Sequence, residues 1–143
     1  MIRQATQADA PACAAILDAW IDATPWMPRI HPSDDVVRYF RKTVLPERRV
    51  WVVGQPLSGF LALDEDAGDI TALYLAETAR GQGFGRRLLG AAKTVATQLT
   101  LWTFVANTGA QRFYAANGFK QIDRTDGDNE EGFPDLRYRW TAT

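Results

Sequence analysis

The sequence predicts an α/β (α+β) fold, with a mixed, mostly antiparallel sheet and helices on both of its faces. Three observations carry this. Strand-like runs at 49–54 and 58–65 are separated only by Gln55-Pro56-Leu57, which makes an antiparallel hairpin. The stretch 69–106 reads strand, helix, strand, which places one parallel pair inside that sheet. Two last strands, 119–125 and 135–142, flank an acidic loop.

The elements follow in the order β-α-α-β-β-β-α-β-α-β-β. "IRQAT" (2–6) is a short strand. Thr6 and Asp9 have the spacing of a capping box, and Pro11 suits a first helical turn. The helix that follows runs to about Ala23, with Cys13, Ile16, Leu17, Trp20 and Ile21 at helical spacing. Pro25, Pro28 and Pro32 prevent its continuation. Ser33 is expected to cap a second helix over 34–45, with Val36, Val37, Phe40 and Val44 inward and Pro46 ending it. Strand 69–76 leads into a turn with Gly81, Gly83 and Gly85, then a helix over 83–98 with Phe84, Leu88, Ala92 and Val95 on one face. Residues 99–106 are β again, 108–117 are helical, and Gly118 stands as the C-cap.

Length and composition narrow the classes. At 143 residues, with 46% hydrophobic and 23% charged side chains, the chain is expected to be one domain, 1–143, with a core that needs no staple. A net charge of -1 argues against nucleic-acid binding by bulk charge. No apolar run approaches the roughly 18 residues of a membrane span. The N-terminus lacks the charged-then-apolar order of a signal peptide, and one cysteine allows no intrachain disulfide. The expected setting is the cytoplasm, without nucleic acid or membrane as partner and with a homodimer left open.

The glycine turn is the main chemical signal. The first N–H groups of a helix lack partners and lie at the positive end of its dipole, so a phosphate suits them. Glycines remove obstructing side chains and tolerate positive φ. Arg80, Arg86 and Arg87 add positive charge. Two common nucleotide loops fail on spacing. Arg86 stands where a dinucleotide fingerprint needs its third glycine, and no Lys-Ser or Lys-Thr pair is placed for a Walker A loop. A turn that only packs helix against strand is the alternative.

The run R-G-Q-G-F-G (80–85), with "ITALYLA" before it, "RRLLGAAK" after it and "VANTGAQRFYAANGFK" at 105–120, resembles the GNAT superfamily of acyl-CoA-dependent N-acetyltransferases. The resemblance implies a GNAT-like sheet whose strands 69–76 and 99–106 splay apart. It implies acetyl-CoA as co-substrate, with no metal. The pyrophosphate would lie on the amides of Gly81, Gln82, Gly83, Phe84, Gly85 and Arg86, with Arg80 beside it. The pantetheine arm would lie along Leu73, Tyr74 and Leu75, and Leu73 would also polarise the thioester carbonyl. Asn107 would contact the pantetheine, or serve as the N-cap of helix 108–117. Tyr114 would be the general acid for the leaving thiolate, or a buried aromatic beside Phe113.

The acceptor side is less defined. Asp69 is either a general base or a strand-edge turn residue; plain alternation would place it on one face with Thr71 and Leu73. His31, the one histidine, is expected on a loop surface and offers no metal constellation. Cys13 lies on an apolar stripe and is expected in the core. By resemblance the acceptor pocket uses the segments 22–32 and 123–135. Trp26 and Met27 form an apolar wall there, or a plug over the helix pair. The acidic second segment attracts a cation, or is a solvated loop. These readings favour direct acetyl transfer to the primary amine of a small molecule. A peptide or protein amine, and a non-catalytic acyl-CoA sensor, are the alternatives.

Overall fold

The computed structural model describes residues 1–143. One seven-stranded sheet runs in the order β1-β2-β3-β4-β5-β7-β6. The strands are β1 (Ile2–Gln4), β2 (Arg49–Val53), β3 (Gly59–Asp64), β4 (Asp69–Leu75), β5 (Gln98–Phe104), β6 (Lys120–Thr125) and β7 (Asp135–Thr141). Every neighbouring pair is antiparallel except β4 with β5.

Helices α1 (Ala10–Ala23) and α2 (Ser33–Tyr39) cover one face; α4 (Phe84–Lys93) and α5 (Thr108–Ala116) cover the other. The two faces bury separate cores. Cys13, Ile16, Val36, Phe40, Val52 and Phe60 meet on the α1–α2 side. Leu61, Leu63, Leu88, Leu89, Leu101, Tyr114 and Phe119 meet on the α4–α5 side. Strict alternation along β3 sends Leu61 and Leu63 to one core and Phe60 and Ala62 to the other. No helix is long and apolar enough to cross a membrane.

The helix ends show which local signals hold. The Thr6 N–H donates to the Asp9 carboxylate at 2.8 Å, ahead of α1, and Pro11 lies in its first turn. The C-terminus of α5 closes through Gly118, at φ 89. There Gly118 N–H bonds Ala115 and Phe119 N–H bonds Tyr114, at 3.2 and 3.0 Å. These are the two bonds of a Schellman cap.

Three expectations fail. Ser33 is the first residue of α2 rather than its cap, and Pro32 holds the cap position with extended backbone. Pro46 does not end that helix either. The chain widens into a π-helical segment over Phe40–Val44 and makes a last turn, α3 (Leu45–Glu47), with Pro46 inside it. Pro46 sits in that last turn, directly after the wider π-helical segment, so the helical backbone carries one residue past it. Helix α4 also stops at Lys93, earlier than its apolar pattern suggests. Val95 lies beyond it and still packs on the core.

Candidate active site

The site begins where β4 and β5 part. Their parallel pairing holds only at Asp69–Thr100 and Ile70–Leu101, although each strand has seven residues. Beyond Ile70 the two strands diverge and leave a cavity of about 660 Å³. Ala72, Leu73, Tyr74 and Leu75 line it from β4, and Trp102, Thr103 and Phe104 from β5. The Ala76 N–H bonds the Ser58 carbonyl next to β3. Main-chain groups alternate in direction along a strand, so those of Tyr74 also point to β3, while those of Leu73 and Leu75 point into the cleft. An extended chain laid there can be paired as an added strand.

At one end of the cleft stands the glycine turn. Gly81 and Gly83 have φ of 76 and 82, and a Cβ at either would meet nothing within 4 Å. The open space lies at the N-terminus of α4, whose first amides lack helical partners. Arg80, Gly81, Gly83, Phe84, Gly85 and Arg86 line the cavity. Arg80, Arg86 and Arg87 make no ion pair within the protein. Free amides, free cations and open space together fit a diphosphate.

Gly85 plays another part than its neighbours. Its φ is not positive, and a Cβ there would sit 2.9 Å from the Phe113 ring. It is glycine so that α4 can approach α5. Gln82 does not line the cavity; its amide donates to the Thr78 carbonyl at 3.1 Å and braces the turn.

Asn107 and Tyr114 reach the cleft from α5 and its start. The Asn107 Oδ1 accepts from Ala110 N–H at 3.1 Å, so the N-cap reading is realised. Its amide nitrogen is then the part left for a ligand. Tyr114 is 8% exposed, with its ring among Phe113, Phe119 and Tyr138. Burial, and secondarily Tyr74, pushes its phenol well above the usual range, so it carries its proton at neutral pH.

Asp69 is not where alternation would put it. The β3–β4 register pairs Ala62 with Ala72 but Leu63 with Ile70, so Thr71 is an extra residue. This bulge reverses the faces below it. Asp69 therefore shares its face with Ala72 and Tyr74, opposite Leu73, and it does not line the cavity. Its carboxylate accepts from Thr100 Oγ1 at 2.9 Å and lies 3.7 Å from an Arg137 nitrogen. Burial raises its pKa, opposed by the Thr100 bond and the Arg137 charge. The geometry suits a brace at the base of the splay better than a base at the reacting atoms.

The sheet face of α1 supplies the other wall of the cleft. Trp20 and Tyr74 pack at 5.2 Å, Trp26 with Trp20 at 5.9 Å, and Trp26 with Phe104 at 5.6 Å. Trp26 does not line the main cavity but an adjoining hollow shared with Trp20 and Asn107; Met27 lines neither. Tyr74 thus faces α1 with its ring and β3 with its main chain, not the side of Leu73 and Leu75. His31 is exposed, as expected of a loop residue, but its Nε2 pairs with Glu130. That contact ties the α1–α2 loop to the β6–β7 loop. Cys13 is fully buried in the α1–α2 core, and burial pushes its thiol up to about 12.

A family model described as "Acetyltransferase (GNAT) domain" matches residues 46–121, more than half of the chain. The chain belongs to the GNAT acetyltransferase superfamily. It is an N-acetyltransferase of the acetyl-CoA-dependent type that defines this family. The acetyltransferase is 30% identical over 128 residues to the peptidyl-lysine N-acetyltransferase YiaC of Escherichia coli, covering 86% of this chain and 85% of YiaC. It is 37% identical over 89 residues to the peptidyl-lysine N-acetyltransferase YjaB of Salmonella typhimurium, covering 59% of each. The apo-form solution structure of Escherichia coli YjaB superposes with a TM-score of 0.79 at 27% identity, covering 100% of this chain and 98% of that one. YncA of Salmonella typhimurium, solved with acetyl-CoA, shares the fold at a TM-score of 0.73 and 18% identity, covering 100% and 94%.

Sequence reasoning missed Trp20 and Phe104 as residues of the cleft. Trp20 carried a signal, but as a core position of α1; only the tertiary fold turns its ring to the cleft.

Proposed function

We propose that this acetyltransferase moves the acetyl group of acetyl-CoA to the ε-amine of a lysine in a peptide or protein, with both substrates bound at once. The curated relatives named as peptidyl-lysine acetyltransferases favour this acceptor over the small-molecule amine. The observation that carries the mechanism is the early end of β4–β5 pairing, which opens one slot from the glycine turn to the α1 side of the sheet.

Acetyl-CoA supplies an activated acyl group. Amides from Gly81 to Arg86 hold its pyrophosphate, with Arg80 and Arg86 adding charge. Main-chain groups of Leu73 and Leu75 and the Asn107 amide hold the arm, and the Leu73 N–H polarises the carbonyl. The incoming amine must shed a proton to water before it attacks, because an alkylammonium has no free pair. Tyr114 gives its proton to the departing sulfur, and the proton shed by the new amide nitrogen restores the phenol through water. Cys13 takes no part, being buried away from the cleft. Direct transfer follows without an acyl-cysteine.

The test is thiol release from acetyl-CoA with a panel of amines: a lysine peptide with its α-amine blocked, the same peptide with the α-amine free and lysine replaced, spermidine and an aminoglycoside. Fastest release with the blocked lysine peptide is expected. Release only with the small amines would overturn the acceptor assignment. Binding of acetyl-CoA without release by any amine would make the chain a sensor.

A further inference from the structure

The cleft holds a hydroxyl that no part of the fold employs. Thr103, on β5, is 8% exposed and lines the cavity. Strand alternation sets it on the same face as Leu99 and Leu101, which pack in the α4–α5 core. Buried hydroxyls are normally bonded. Thr100 follows that rule on the opposite face: it donates to Asp69 at 2.9 Å and accepts from Arg137 at 3.0 Å. Thr71 does so at the bulge, donating to the Ala62 carbonyl at 3.4 Å. The Thr103 hydroxyl bonds nothing in the protein. Yet the one side-chain polar atom sealed from solvent without a partner is Arg49 Nε. The Thr103 oxygen is therefore not sealed; it opens on the cavity that its residue lines.

Its place along the cleft follows from register. Ile70 and Leu101 make the last rung of the β4–β5 ladder. Thr103 stands two residues past Leu101. On β4 the bulge residue Thr71 has no β3 partner, so Leu73 is two rungs past Ile70. Leu73 and Thr103 are thus level on facing walls. Leu73 packs against the α4–α5 core, the side to which alternation turns Thr103. Tyr114 reaches the cavity from that side too. Its ring packs on Tyr138, whose strand partner Leu101 is two residues from Thr103. The Leu73 N–H, the Tyr114 phenol and the Thr103 hydroxyl therefore converge on one stretch of the slot, from β4, α5 and β5.

We infer that Thr103 is a second hydroxyl of the reacting centre, which donates a hydrogen bond to the thioester sulfur as it leaves. The inference rests on the proposed course of the arm along Leu73 and Leu75. The C–N bond forms as the amine adds. When the C–S bond breaks, its electron pair stays on sulfur. Tyr114 supplies the proton that neutralises the sulfur; Thr103 keeps its own proton and only shares it. A donor fixed by a strand needs no reorganisation while charge develops. Such help matters here, because burial makes the Tyr114 phenol slow to release its proton.

Calorimetry with two unreactive ligands tests this: CoA, and desulfo-CoA, which lacks the sulfur. At about pH 9 a thiol is largely thiolate, by analogy with cysteine, and stands in for the leaving group. Wild-type protein is expected to prefer CoA by about tenfold or more, the scale of a hydrogen bond to a charged group. Thr103→Val keeps the shape and removes the donor, and is expected to lower the preference about tenfold; Thr103→Ser is expected to keep it. Thr103→Ala adds no bulk and reads the same loss if the valine variant fails to fold. With a lysine peptide, kcat should fall about tenfold in Thr103→Val and recover in Thr103→Ser, with KM for acetyl-CoA unchanged. Equal binding of CoA and desulfo-CoA by wild-type protein overturns the role of Thr103 alone, and so does a preference that survives loss of the hydroxyl. If neither ligand binds, the seat of the arm falls with it. Neither ligand meets an acceptor, so the lysine assignment can fail while the preference for sulfur stands.

Discussion

Tyr114 and Asp9 are both buried ionisable side chains, and their surroundings push them in opposite directions. Desolvation leads at Tyr114 and raises its pKa. A phenol that holds its proton this firmly is a poor acid in bulk, so any catalytic effect comes from its place in the cleft. Tyr114→Phe keeps the ring packing and removes the proton. We expect turnover to fall by roughly a hundredfold or more, the usual scale of a positioned acid, with acetyl-CoA affinity little changed. Steady-state rates beside calorimetry check this; an unchanged rate removes the role. At Asp9 the bonds outweigh desolvation. Arg3 donates to both carboxylate oxygens at 2.8 Å, and Thr6 N–H adds a third bond. The carboxyl is held down at about 2, below its ordinary 3.8. A lowered pKa means that folding favours the carboxylate. This stability is present above pH 3.8 and is lost as pH falls through about 2. Asp9→Asn should therefore cost about 1–2 kcal/mol near neutral pH, and the gap in urea midpoint should close in strong acid. A gap independent of pH would contradict the linkage.

Helix α4 uses its glycines for different purposes. Gly83 caps its start at φ 82 and faces open space. A β-branched residue there strains the turn and fills the room an anion needs. Gly83→Val is expected to abolish CoA binding while the far-ultraviolet dichroism stays native; binding as tight as wild type would undo the loop assignment. Gly90 lies within the same helix, exposed, without positive φ and without a neighbour for a Cβ. Gly90→Ala should raise stability by about 0.4–1 kcal/mol through helix propensity and a less flexible unfolded chain. CoA binding should not move. The pair of substitutions separates a glycine required by the turn from one that is merely tolerated.

The whole molecule is two half-sheets joined at β4–β5, where pairing spans only Asp69–Thr100 and Ile70–Leu101. A ligand lying in the gap would replace the missing ladder. Saturating acetyl-CoA should raise stability by about 2.7 kcal/mol at a hundredfold excess over Kd. It should also slow hydrogen exchange most at the amides of Leu73 and Leu75, which point into the gap. Protection confined to the glycine turn would mean that the arm lies elsewhere.

Local chemistry was legible from the residues alone. Positive φ at Gly81, Gly83 and Gly118, the Asn107 cap, the Thr6–Asp9 pairing and the alternation of β3 depend on neighbours a few positions away, and the sequence by itself determined them. Together with their spacing they implied the family. The tertiary structure decided what depends on distant partners. One extra residue at Thr71 turned Asp69 away from Leu73, and no pattern within β4 announces a bulge that exists only against β3. Trp20, Tyr74 and Phe104 come from three separate elements and line one cavity only when α1 packs on the splayed strands. Side-chain periodicity says which way a residue points within its own element, but burial and charge at a site are sums over elements that folding alone brings together.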